Sequence, residues 1–198
     1  MKSFIIFDVG NVILYADHAI TYRILERYGV PRDRAIKFFD NEEYKKFSRG
    51  KINGRSFYNA LIQKHLRAEL AYEDVVHAHN EHLYGIDPKV VQVLSKLPKE
   101  RLIFLTDTNE WQTEREHELI DLMSYGSRIF RSHEMHMLKT DTGCFPYVID
   151  QLGIGASETV LVDDSIEKID MARRYGIQTV HFKDANQLTE YLKSQNLM

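Results

Sequence analysis

Cysteine is nearly missing from this chain: Cys144 stands alone among 198 residues. A lone thiol excludes an intramolecular disulfide framework and fits a reducing compartment, so the cytoplasm is the expected location. No block of lysine or arginine occurs, and the formal net charge is only -3. That balance removes the electrostatic basis for nucleic-acid binding, so a small or anionic substrate must be held locally. Long apolar runs are absent too. The segment Phe4-Ile5-Ile6-Phe7 meets a carboxylate at Asp8, far short of a signal-peptide core or of the about 20 apolar residues that span a bilayer. No membrane partner is expected, and the absence of repeats, low-complexity tracts and flexible linkers speaks against solenoids and strung-out modules. Oligomeric state has no signature in the chain.

What is present is a 43% share of apolar residues, enough for one compact core with a modest insertion. Five apolar runs have strand length: Phe4 to Phe7, Leu102 to Leu105, a weaker one around Ile129-Phe130, Thr159 to Val162, and Thr179 to Phe182. Runs this apolar, separated by longer amphipathic stretches, predict an α/β fold with a doubly wound, Rossmann-like parallel sheet covered on both faces. Val90, Val91, Val93, Leu94 and Leu97 form one helical stripe, and Ile166, Ile169, Ala172 and Tyr175 another. Asp87-Pro88 reads as an N-cap followed by proline at the first helical position.

The chain between Phe7 and Leu102 is far longer than a simple crossover, for which roughly 30 residues suffice, so something is inserted. Helical stripes (Ile20, Ile24, Leu25, Tyr28; then Phe57, Leu61, Ile62, Leu66, Leu70) are broken at Gly29-Val30-Pro31 and at Lys51-Ile52-Asn53-Gly54. They predict a small helical bundle over residues 15–87, packed on a core made of residues 1–14 and 88–198.

Ligands of open α/β sheets bind at the carboxyl ends of strands, and there the sequence is polar: Asp8-Val9-Gly10-Asn11, Thr106-Asp107-Thr108-Asn109 and Asp163-Asp164-Ser165, with Lys139 after the third run. Converging aspartates repel unless a hard cation sits among them, and Mg2+ is the expected occupant. Each piece has a plainer reading: Asp8 ending a strand, Thr106 as a β-branched strand residue, Asp164 with Glu167 as a capping box, Lys139 in solvent. Their joint occurrence in this order favours a site.

Phe7-Asp8-Val9-Gly10-Asn11-Val12, Leu105-Thr106-Asp107-Thr108-Asn109, Ser132-His133-Glu134 through Lys139, and Val162-Asp163-Asp164-Ser165 resemble, in order, the four motifs of the haloacid dehalogenase-like superfamily. The resemblance is to its helical-cap sugar-phosphatase branch, which includes the bacterial alpha-glucose-1-phosphate phosphatase. It extends to Arg49-Gly50-Lys51-Ile52 leading into Phe57 and covers essentially the whole chain. It implies a magnesium-dependent phosphomonoester hydrolase acting on a small phosphorylated metabolite, a sugar phosphate among the candidates. Asp8 would form an aspartyl-phosphate, and Thr106 and Lys139 would hold the phosphoryl oxygens beside Gly10, Asn11 and Asp107. Mg2+ would be bound by Asp8, the Gly10 carbonyl and Asp164, with Asp163 orienting metal-bound water, and the inserted bundle would be the cap that reads the leaving group.

The chain departs from the pattern at four places. Gly10 stands where many superfamily phosphatases carry a general acid, although the sugar-phosphatase branch also has glycine there. Asp107 replaces an asparagine, Lys168 another asparagine, and Thr140 a proline. An added carboxylate about 4 Å from a phosphate opposes it by roughly 4 kcal/mol at an effective dielectric near 20; the extra positive charge of Lys168 is expected to compensate, so that the paired swap suggests a rearranged site. Two other readings stay open: hydrolytic dehalogenation, and a catalytically impaired relative that binds a metabolite or protein partner. His77, His79 and His82 invite a zinc reading but fit a solvated helix better. His133 and His136 lie near the presumed phosphate loop, and Trp111 reads as a helix-packing residue.

Overall fold

The computed structural model describes residues 4–198. Along the chain run β1 (Phe4–Phe7), β2 (Leu14–Ala16), α1 (His18–Arg27), α2 (Arg32–Ala35), α3 (Glu42–Ser48), α4 (Gly54–Ala60), α5 (Tyr72–Asn80) and β3 (Leu83–Ile86). Then follow α6 (Pro88–Leu94), β4 (Leu102–Thr106), α7 (Glu110–Leu119), β5 (Arg128–Arg131), α8 (Ser132–Met135), α9 (Cys144–Leu152), β6 (Thr159–Asp163), α10 (Ile166–Arg173), β7 (Gln178–His181) and α11 (Ala185–Ser194).

The five apolar runs are the five strands of one parallel sheet in the order β5-β4-β1-β6-β7. This is the expected doubly wound α/β architecture. Because strand side chains alternate, Ile5 and Phe7 of β1 enter one apolar cluster and Ile6 the other; β4 and β6 divide in the same way. Helices α6 and α11 cover the first face, α9 and α10 the second. The Asp87 side chain accepts from the Lys89 and Val90 amides, so the cap read from Asp87-Pro88 is formed. Among the described residues no helix is long and apolar enough to cross a membrane.

The long segment between β1 and β4 holds α1 to α5, which close around Phe38, Phe47, Phe57 and Leu61, all buried. Burying each such ring or Leu side chain contributes on the order of 2 kcal/mol. Trp111, at the start of α7, completes this cluster from the core side, meeting Phe47 edge-on at 4.9 Å and donating its indole N–H to the Tyr72 hydroxyl. It is a packing residue, as expected, and the packing is between insert and core.

Two details differ from the sequence reading. The ends of the insert are strands: β2 and β3 form an antiparallel pair that clasps the neck, with Tyr15 and Tyr84 stacked on its exposed side. Three- and four-residue strands whose partners lie far apart in sequence leave no periodic trace. The stripe running to Leu70 also breaks early: a π-helical stretch, Leu61–Leu66, ends at Arg67 with φ 49°, and the Leu70 carbonyl instead accepts the Tyr58 hydroxyl.

Candidate active site

β1 is the strand from which the crossovers diverge to either side, and its carboxyl end is where such folds collect their ligands. Asp8 follows it, Thr106 and Asp163 are the last residues of the flanking strands β4 and β6, and Asp107 and Asp164 come next. Backbone register alone therefore brings the three polar clusters together.

The centre is a buried ion network. The Lys139 ammonium, with no solvent exposure, lies 2.7 Å from Asp8 Oδ2 and 2.6 Å from Asp163 Oδ2. The solvated reading of Lys139 is thus excluded. Asp163 Oδ1 accepts from the Ser165 amide, so both oxygens of Asp163 are engaged. The capping-box reading of Asp164 with Glu167 also fails, because Ser165 is the N-cap of α10. Lys168 reaches back from α10 to within 3.5 Å of Asp8 Oδ2 and 3.6 Å of Asp107 Oδ2. Asp107 Oδ1 accepts the Lys139 amide at 2.9 Å, so this carboxylate braces the lysine loop and faces the second ammonium.

Burial by itself would raise the Asp8 carboxyl, but Lys139 and Lys168 outweigh it and hold Asp8 at about 2. Burial and the neighbouring Asp8 carry Asp163 up to about 6 despite Lys139. Although burial opposes its charge, Asp8 and Asp107 hold the Lys168 ammonium above its ordinary range.

Carboxylate oxygens of Asp8, Asp163 and Asp164 all lie within 4.8 Å of one another. These three carboxylates could hold a cation, with Gly10 beside Asp8 and Asp164 at the cavity. Oxygen-only donors with room for waters suit a hard divalent ion such as magnesium. Charge agrees: Asp8, Asp107, Asp163 and Asp164 face Lys139 and Lys168, an excess of two negative charges.

Asp8, Gly10, Asn11, Thr106, Asp107 and Lys168 floor a cavity of about 390 Å³, with Lys139 and Asp163 behind it. Asn11 sits at φ 55°, its side-chain oxygen accepting the Ala16 amide. The opposite wall comes from the insert and includes His18, Tyr44, Ser48 and His82, with Gln112 of α7 beside them. None of these was singled out as a substrate contact from sequence, because helix residues facing a gap between two units follow no period of their own. His79 and His82 are buried, contrary to the solvated-helix reading, while His77 is exposed. Burial lowers the pKa of His79 and takes His82 to about 4, so both are neutral; the His82 Nδ1–H donates to the His79 carbonyl. His133 and His136 do not line the cavity; His136 Nδ1 contacts the Arg49 carbonyl instead.

The insert is latched beside the site. Arg49, just after α3, donates two hydrogen bonds of 2.8 and 2.7 Å to Asp141, and Asp141 Oδ2 also accepts the Leu138 amide, next to Lys139. Ser132 Oγ accepts the Thr108 amide and donates toward the Ser48 carbonyl at 2.6 Å. Gly50 makes the approach possible: at φ 61° any Cβ would lie 2.1 Å from the His133 carbonyl oxygen. Removing a bidentate ion pair of this kind costs about 1.4 kcal/mol of local stability, a factor of about ten. Arg49→Ala is therefore expected to speed amide exchange in α3 and α4 about tenfold and leave β1 and β6 unchanged; unaltered exchange in α3 and α4 would show that the pair holds nothing closed.

Comparison with known proteins agrees with this construction. The haloacid dehalogenase-like hydrolase family model matches residues 5–182. A HAD family enzyme of Bacteroides thetaiotaomicron, solved with magnesium and inorganic phosphate, superposes with a TM-score of 0.83 at 21% identity, covering 92% of this chain and 95% of that one. A predicted HAD-like family hydrolase of Porphyromonas gingivalis gives 0.84 at 21% identity over 98% of both chains. A HAD phosphatase of Thermococcus onnurineus gives 0.60 at 19% identity, over 92% of this chain and 86% of that one. At these identities the structures establish the fold. The family match spans the sheet, the insert and every residue at the cavity floor, and by it the chain belongs to the haloacid dehalogenase-like hydrolase family.

Proposed function

We propose that this hydrolase cleaves small phosphomonoesters through an aspartyl-phosphate on Asp8, with Mg2+ as its cofactor and the insert of residues 15–87 as its cap. The observation that carries the reading is the Asp8 carboxylate. It is buried at the cavity floor, held ionised by two ammonium groups and adjacent to two further carboxylates. An ionised carboxylate in that position is a nucleophile preserved for an electrophile that arrives with its own negative charge.

In the first displacement an Asp8 oxygen bonds to phosphorus as the ester P–O bond breaks, and the leaving oxygen takes a proton from the cap side or from water. In the second, water attacks the same phosphorus, inorganic phosphate departs and the Asp8 carboxylate is regenerated. Magnesium, held by Asp8, the Gly10 carbonyl and Asp164, would supply the two positive charges that the cluster lacks. Thr106, whose hydroxyl has no hydrogen-bond partner among the described residues, is free to donate to a phosphoryl oxygen. Lys139 keeps Asp8 oriented and charged. Asp163 acts through Lys139 and through the charge of the cluster. The wall of His18, Tyr44, Ser48, His82 and Gln112, with Lys45 at its edge, meets the leaving group, which suits a hydrogen-bonding metabolite.

Release of phosphate from an aryl phosphate tests the reading directly. Turnover is expected to require magnesium, stop with chelator and return on adding the ion back; full activity in chelator would overturn the metal assignment. A protein that binds phosphate but never turns over an ester would be the impaired relative.

A further inference from the structure

The two lysines at Asp8 occupy different positions relative to the cavity. Lys139 is fully enclosed, lies behind the cavity floor, and has its ammonium in close contact with Asp8 and Asp163 at 2.7 and 2.6 Å. Lys168 lines the cavity, its side chain is 21% exposed, and its two carboxylate neighbours are at 3.5 and 3.6 Å. Charge-assisted N–H···O bonds are about 2.7–2.9 Å when well made. The donors of Lys168 are thus poorly satisfied by Asp8 and Asp107 and remain open to a better acceptor. Another lysine on the cavity wall, Lys45, is paired with Glu42 at 2.8 Å on an exposed helix surface.

We propose that Lys168 contacts the phosphoryl group undergoing transfer, as the ammonium on the substrate side of Asp8, with Asp107 holding it in position. The proposal rests on the phosphomonoesterase reading and names the group that meets the phosphate. A phosphorus poised for attack lies about 3–3.5 Å from an Asp8 oxygen, and an ammonium 3.5 Å from that carboxylate is within reach of the phosphoryl oxygens. On arrival of the phosphoryl group Lys168 exchanges its two long carboxylate contacts for shorter bonds to an anion, and Asp107 stays as the counter-charge behind it. The division of labour follows from burial: Lys139 sets the nucleophile and Lys168 meets the substrate. It also accounts for Asp107, which without Lys168 would be an unanswered carboxylate at an anion site.

Titration calorimetry with inorganic phosphate in saturating magnesium, alongside kcat/KM for an aryl phosphate, tests the contact. Lys168→Met is expected to weaken phosphate binding by about tenfold or more and to lower kcat/KM by about a hundredfold, whereas Lys168→Arg retains most of the phosphate affinity. The double variant Lys168→Met with Asp107→Asn should stay weak. If Lys168 served only to cancel Asp107, the double variant would return to wild-type affinity, and that result overturns the proposal. Unchanged phosphate affinity in a folded Lys168→Met overturns it equally, as does a wild-type protein that binds no phosphate. Phosphate binding that depends on Lys168 in a protein that cleaves no phosphomonoester would instead overturn the hydrolase reading and leave the contact standing.

Discussion

Asp8→Asn is expected to reduce turnover by about a thousandfold or more while leaving the protein folded, because the change removes the nucleophile and a metal donor together. The fold should tolerate it for an electrostatic reason. In the native site Lys139 is shared between Asp8 and Asp163, and the repulsion between the two carboxylates, added to burial, carries Asp163 up to about 6. An amide at position 8 relieves that repulsion, leaves Lys139 paired with Asp163 one to one, and still accepts a hydrogen bond. The stability change should therefore stay within about 1 kcal/mol, and the Asp163 carboxyl should titrate below its native value. Turnover above about a tenth of wild type would remove Asp8 from the nucleophile's role. Loss of folding would show instead that the network needs both carboxylates.

Lys139→Met should act more severely, on structure as well as rate. It deletes the cation that, among the described residues, is alone in contact with both buried carboxylates, and breaking such a pair from one side costs about 3–5 kcal/mol. The pH dependence has a definite sign. Without Lys139 the folded-state pKa values of Asp8 and Asp163 rise, and that of Asp163 climbs further above its unfolded value, because Lys168, 3.5 Å from Asp8, opposes burial and mutual repulsion more weakly than the two ammonium groups together. The folded state then binds more protons than the unfolded one, so stability falls as pH rises through that interval. Urea unfolding should place the variant's deficit near its smallest at about pH 5 and at its largest at about pH 8. A variant as stable as wild type at pH 8 would show that the ammonium is not what holds the two aspartates together.

Much of this site was legible before any coordinates. Asp8, Thr106, Lys139, Asp163 and Asp164 were nameable because each follows an apolar run or lies in the loop after one, and a parallel sheet places such residues on one edge by register alone. The departures were legible as departures: Asp107 and Lys168 introduce opposite charges, and the 3.6 Å between them shows that the two meet. Which lysine faces the cavity was not legible, since burial of Lys139 depends on Asp8 and Asp163 closing over it from two different strands. The burial of His79 and His82 was equally hidden, because what covers them includes aromatic rings brought from α1, α3 and the Phe38-Phe39 turn.

The sequence by itself determined the layers and the inventory: apolar runs and helical stripes are local periodicities, and local periodicity dictates which segments become strands and helices and which residues end them. Only the tertiary structure decided the pairings across distance: the β2–β3 clasp, the Arg49–Asp141 latch, the wall of His18, Tyr44 and His82 over Asp8, and the assignment of one ammonium to the interior and one to the cavity. Each joins residues from separate elements whose approach is set by packing and charge balance among groups far apart in the chain, and no local pattern encodes that balance.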